Sequence, residues 1–140
     1  MILLSIDPGK HAMAWAVFKE GTLHACGLGN SALHVKSYDP THVVIELPQV
    51  YRQSKNPNDL VDLAFRAGFW AHTFNEPGVE FETVWPHDWK GSRPKSVDNR
   101  ATRKDMTEAE LKLLPDLPDG KLHNVIDAIG IGLWKLGRKR

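Results

Sequence analysis

The chain has little that would anchor it by anything other than packing. A single cysteine, Cys26, excludes an intramolecular disulfide and any multi-thiolate zinc cluster, and points to a reducing compartment. No apolar run approaches the roughly 18 residues of a membrane span, and the opening MILLSI reaches Asp7 too early for a signal sequence. A cytoplasmic protein with no membrane partner is expected. Neither a P-loop nor a Gly-x-Gly-x-x-Gly fingerprint occurs, so a small nucleotide-binding domain lacks its usual phosphate cradle. An excess of one charge is missing too: 18 Lys+Arg against 17 Asp+Glu give a net +1, which speaks against nucleic acid held by bulk positive charge.

What is present is an ordinary soluble composition, 41% hydrophobic and 25% charged over 140 residues. Residues 1–140 therefore read as one domain, large enough to bury a core. Apolar runs at Met1–Ile6, Ala12–Phe18 and Thr22–Gly27, punctuated by Asp7-Pro8-Gly9 and Glu20-Gly21, predict three strands with an antiparallel hairpin. His42–Leu47 and Val79–Trp85 predict a fourth and fifth strand, with a polar loop over residues 49–58. Apolar residues recur at helical spacing from Pro57 to about Phe74, and a last helix is expected from about Lys121 to Leu136. Thr107 and Glu110 have capping-box spacing. The fold class is α/β: a five-stranded mixed sheet, antiparallel in its first three strands and then parallel, with helices on both faces.

Two carboxylates fall at strand ends, Asp7 at the C-terminal end of the first strand and Glu46 at that of the fourth. A right-handed crossover would set these strands parallel and adjacent, projecting both acids from one end of the sheet. Such a pair repels, and a divalent cation of the Mg²⁺ or Mn²⁺ type relieves it through hard oxygen ligands. The plainer alternative is a turn-forming Asp before Pro-Gly and a Glu at a strand end. On the last helix Asp127 shares a face with Asn124 and His123, three and four residues earlier. An Asp among Val125, Ile126, Ile129 and Leu133 is costly to bury without a partner, whereas His123 alone is readily a helix-start residue. Ala128, Gly130 and Gly132 allow that helix to lie close against the sheet.

Ile6-Asp7-Pro8-Gly9 before an apolar hairpin, then Ile45-Glu46, then Asp127-Ala128 in a glycine-rich terminal helix, resembles the RuvC family of Holliday-junction resolvases, in the ribonuclease H-like superfamily. Ala64-Phe65-Arg66-Ala67-Gly68 and the segment from Pro86 through Lys90 to Lys95 continue the resemblance in order along nearly the whole chain. It implies a ribonuclease H-like fold and metal-dependent cleavage of four-way junctions by a homodimer. It implies two Mg²⁺ ions per site, with Mn²⁺ substituting, held by Asp7, Glu46 and Asp127, and Lys90 and Lys95 facing the scissile phosphate. Bacterial relatives carry a fourth ligand three residues before the last Asp. Here that position is Asn124, with His123 beside it as the favoured candidate and Asn124 kept open. This departure and the short chain fit a phage-encoded variant acting in the host cytoplasm.

The balanced total charge also conceals segregation. Residues 85–104 hold Lys90, Arg93, Lys95, Arg100, Arg103 and Lys104 against Asp88 and Asp98, and the C-terminus adds Lys135, Arg138, Lys139 and Arg140. Either run reads as a DNA face or as a solvated surface. Tyr51, with Arg52 and Lys55, falls where the family carries an aromatic that stacks on bases; a Tyr packed at the loop base is the alternative. The helix from Asp59 to Phe74 bears Phe65, Phe69, Trp70 and Phe74, more aromatic surface than one core face needs. Other readings stay open: a ribonuclease H-like nuclease acting on other branched DNA or on RNA–DNA hybrids, and a non-catalytic junction-binding module.

Overall fold

The computed structural model describes residues 1–52 and 55–139. Arg140, expected in the basic tail, lies outside the described residues. Five strands run in sequence order as β1 (Ile2–Pro8), β2 (Met13–Lys19), β3 (Thr22–Gly29), β4 (His42–Glu46) and β5 (Glu80–Val84). In space the order is β3-β2-β1-β4-β5. β1/β2 and β2/β3 pair antiparallel, while β1/β4 and β4/β5 pair parallel. Glu20 and Gly21, both at positive φ, make the two-residue hairpin turn whose twist matches the strands.

Strand periodicity divides the core in two. Leu4 and Ile6 of β1, Trp15 and Val17 of β2, and Val43 and Ile45 of β4 face one way. They pack against Val35 of α1 (Ala32–Lys36) and against Trp70 and Phe74 of α2 (Pro57–Phe74). Leu3, Ala14, Ala16, Phe18 and Val44 face the other way, onto Val125, Ala128, Ile129 and Leu133 of α6 (Asp119–Lys135). Between β5 and α6 the chain forms α3 (Pro86–Lys90), α4 (Lys95–Asp105) and α5 (Glu108–Leu111).

α6 approaches the sheet closely because Gly132 has no side chain: a Cβ there would lie 2.1 Å from Cε2 of buried Phe18. The Ser5 hydroxyl donates to the Ala128 carbonyl (2.7 Å) and fastens the same turn of α6 to β1. At α5 the Thr107 hydroxyl accepts from the Glu110 N–H (3.2 Å) and the Glu110 carboxylate accepts from the Thr107 N–H (2.8 Å). This is the expected capping box, although its helix is only four residues long.

Four details differ from the sequence reading. β1 runs on through Pro8 instead of stopping at Ile6, and Asp7, at its C-terminal end as expected, is paired with Ala14 of β2. α1, capped by Ser31, is too short to show a period. The basic segment after β5 resolves into two helices, each opening beside a proline. The described basic residues of the C-terminal run are ion-paired within the chain. Lys135 pairs with Glu82 at the surface (2.7 Å), Arg138 with Glu110 (2.7 Å) and Lys139 with Asp98 (2.8 Å), so each of these three charges has an acidic partner within the chain.

Candidate active site

The register that pairs Ile6 with Ile45, continued by one residue, sets Asp7 of β1 beside Glu46 of β4. By strand alternation both acids point to the α6 side of the sheet. There α6 presents Asp127, 3% exposed, one residue before the Ala128 carbonyl held by Ser5. The three carboxylates open into one cleft of about 480 Å³, lined also by Asn124, Lys90, Lys95, Lys10, Asp59 and Tyr51.

Their electrostatics are those of acids crowded together. Burial pushes the Asp7 carboxyl well above the usual range, with the charges of Glu46 and Asp127 adding and the ammonium groups of Lys95 and Lys90 opposing. Glu46 is pushed up chiefly by burial. Against that act the Lys90 charge and a hydrogen bond from the Trp89 indole N–H to Glu46 Oε2 (2.5 Å). Asp127 accepts from Lys95 Nζ at Oδ2 (2.9 Å) and from the Asn99 amide at Oδ1 (2.7 Å).

The donors here are oxygens: three carboxylates and the Asn124 carbonyl. Lys95 Nζ, 2.9 Å from Asp127 and 3.4 Å from Asn124 Oδ1, already marks a point where positive charge is favoured. Among the described residues no three Asp, Glu, His or Cys groups close into a ready-made cage. As a donor set, however, crowded carboxylates, with the proton affinity of Asp7 and Glu46 raised, fit a hard divalent cation such as Mg²⁺ or Mn²⁺.

His123, favoured on sequence for the fourth position, is placed elsewhere. Its Nδ1 lies 3.1 Å from the Asp119 carbonyl one turn back, and its ring lines a separate groove with Asn99 and Arg103. Successive helix residues are turned by about 100°, so α6 brings Asn124, not His123, to the cleft wall with Asp127.

The remaining candidates divide. Lys90 and Lys95 line the cleft, and Tyr51 stands exposed at its edge. Arg52 and Lys55 are exposed on the same loop, and Arg100, Arg103 and Lys104 are exposed along α4. Arg93 is turned toward buried Asp98 (3.2 Å). The sequence reading missed three residues. Lys10 pairs with Asp59 (2.6 Å) across the cleft mouth. Asn99 lies one helical turn after Lys95, a spacing that could have flagged it. Trp89 carried no sequence signal for its bond to Glu46, which lies 43 residues away.

No protein-family model and no curated protein sequence matches the chain. Solved structures do. RuvC of T. thermophilus in complex with Holliday junction substrate aligns at 17% identity and a TM-score of 0.60, covering 100% of this chain and 99% of that one. The Fowlpox virus resolvase in complex with substrate Holliday junction DNA aligns at 20% identity and 0.65, covering 98% and 97%. A crystal structure of the Fowlpox virus Holliday junction resolvase aligns at 18% identity and 0.59, over 98% of each chain. The chain thus has the RuvC-type, ribonuclease H-like fold from end to end.

Proposed function

We propose that this chain is a metal-dependent endonuclease that resolves four-way DNA junctions. The observation that carries the reading is the convergence of Asp7, Glu46 and Asp127 on one cleft, in a fold that aligns end to end with two resolvases solved on junction DNA. Asp7, Glu46 and Asp127, with the Asn124 carbonyl, would hold Mg²⁺ or Mn²⁺, two ions per site by the resemblance. Bound there, the ions supply what phosphodiester hydrolysis needs, an activated water and charge stabilisation of the leaving oxygen.

The chain's own groups do the rest. Lys90 and Lys95 place positive charge at the cleft, where the scissile phosphate must come. The exposed Arg100, Arg103 and Lys104 of α4 contact the phosphate backbone beyond it, and Tyr51 at the cleft edge offers a ring for an unpaired base.

A homodimer completes the proposal. Along α2 the side chains of Val61, Phe65 and Phe69 are exposed, Phe65 at 71%. Beside them Ala64, Ala67, Gly68 and Ala71 line an apolar groove with Trp85. Small residues that admit a close approach, next to unburied aromatics, suit a second copy of the same helix. Two-fold pairing would present two clefts to the two-fold symmetric junction.

The deciding experiment incubates purified protein and Mg²⁺ with end-labelled four-way, three-way and linear DNA. Paired, symmetric nicks in the four-way junction are expected. Binding without cutting would leave a junction-binding module, and equal cutting of all three substrates, or of an RNA–DNA hybrid, would make it a nuclease of the same fold with different selectivity.

A further inference from the structure

Glu46 is oriented by a neutral group, whereas Asp127 meets both the neutral Asn99 amide and the Lys95 ammonium. The donor is the Trp89 indole N–H, 2.5 Å from Glu46 Oε2, and an indole donates one hydrogen bond while accepting none and carrying no charge. The bond fixes one carboxylate oxygen and leaves the other, with the full negative charge, to the cleft. A lysine in the same place would have neutralised the acid, as Lys95 does at Asp127.

The ring is itself held firmly. Trp89 is 2% exposed and lies in the last turn of α3, a helix whose start is fixed by Pro86 and by the Asp88 carboxylate accepting from the Trp85 N–H (3.1 Å). Gly130 of α6 clears space for it: a Cβ there would lie 2.8 Å from Cζ3 of the indole. On the ring face sits the Lys139 ammonium, 4.1 Å from the centroid, anchored by Asp98 (2.8 Å). A cation over the face draws electron density from the ring and sharpens the N–H as a donor.

We infer that Trp89 is a positioning residue for Glu46, setting the carboxylate's orientation toward the cation site while preserving its charge. The inference rests on the metal-dependent reading above and adds a named device to it. Groups that orient metal ligands cost typically 10–100-fold in affinity or activity when removed.

The test uses the full chain. Mn²⁺ binding is measured by calorimetry on wild type and Trp89→Phe, which keeps an aromatic ring and removes the N–H. Folding of each is checked by thermal melting. In parallel the Trp89 indole ¹H–¹⁵N resonance, assigned in the wild type through its contacts with Gly130, is followed during Mg²⁺ addition. Expected are roughly tenfold or more weaker Mn²⁺ binding by folded Trp89→Phe, a lowered kcat with junction affinity unchanged, and movement of the wild-type indole resonance as the site fills. A folded variant that binds Mn²⁺ within about twofold of wild type overturns the inference. So does a wild-type indole resonance that stays fixed at saturating Mg²⁺, which decides the matter even if the variant fails to fold. Wild type that binds neither ion overturns the metal site itself, a result distinct from either.

Discussion

The ion pair between Glu110 and Arg138 makes a quantitative prediction about what holds α6, and with it Asp127, in place. Glu110 is 1% exposed. Burial alone would raise its pKa, but hydrogen bonds from Arg138, from the Leu23 N–H (2.8 Å) and from the Thr107 N–H outweigh that and bring it from 4.5 down to about 2. Arg138 meets both carboxylate oxygens (2.7 and 2.8 Å) and also donates to the Gly21 carbonyl (2.8 Å). The group thus ties the β2–β3 turn, α5 and the end of α6 together. The folded-state pKa is depressed, so the stabilisation is fully present above 4.5 and drains away as pH falls toward 2. At about 1.4 kcal/mol per pH unit, that interval is worth about 3 kcal/mol. Glu110→Gln is therefore expected to lose up to about 3 kcal/mol at pH 7 and to converge on wild type at the acid end. Urea unfolding followed by circular dichroism from pH 7 to pH 2.5 checks it, with the difference between the two proteins cancelling the other carboxylates. A gap between them that stays constant over this range would refute the reasoning.

Asp7→Asn is expected to abolish cleavage and, in EDTA, to raise the melting temperature at pH 7. A carboxyl whose pKa is raised by folding takes stability from the wild type as pH climbs above 3.8 through the raised value, and the amide does not; equal melting temperatures in EDTA would contradict this. Gly132→Ala should destabilise the chain by about 1–3 kcal/mol, because the new Cβ would lie 2.1 Å from the Phe18 ring; an unchanged urea midpoint would show that the helix can shift. Replacing Phe65 and Phe69 with Ser is expected to give a monomer in sedimentation while leaving the fold intact, since both side chains are largely exposed; a wild type that is monomeric at every concentration would remove the proposed dimer.

Much of this was legible because it depends on short-range pattern. β1 announces itself by the apolar run before Asp7-Pro8-Gly9, β4 by a β-branched run stopped at Pro48, and α6 by its period. The order of acids along the chain was enough to nominate Asp7, Glu46 and Asp127. Choosing between His123 and Asn124 was not possible in this way. The two neighbours differ by about 100° around the helix, and which of them faces the cleft depends on how α6 is rotated against β1. The fate of the basic tail was equally hidden, because Arg138 and Lys139 find Glu110 and Asp98 only across 28 and 41 residues of chain.

The sequence by itself determined the five strands, the long helices, their order and the chemistry on offer: hard oxygen donors at strand ends, basic groups between the last strand and the last helix, and no thiol cluster or phosphate loop. Period and turn chemistry are local properties, written in neighbouring residues. Only the tertiary structure decided which polar groups meet. It joined Trp89 to Glu46 and Asn99 and Lys95 to Asp127, paired Arg138 and Lys139 with Glu110 and Asp98, and left Phe65 and Phe69 of α2 exposed while burying Trp70 and Phe74. Those pairings are set by helix rotation and by the close approach that Gly130 and Gly132 permit, and both arise from packing between segments far apart in the chain.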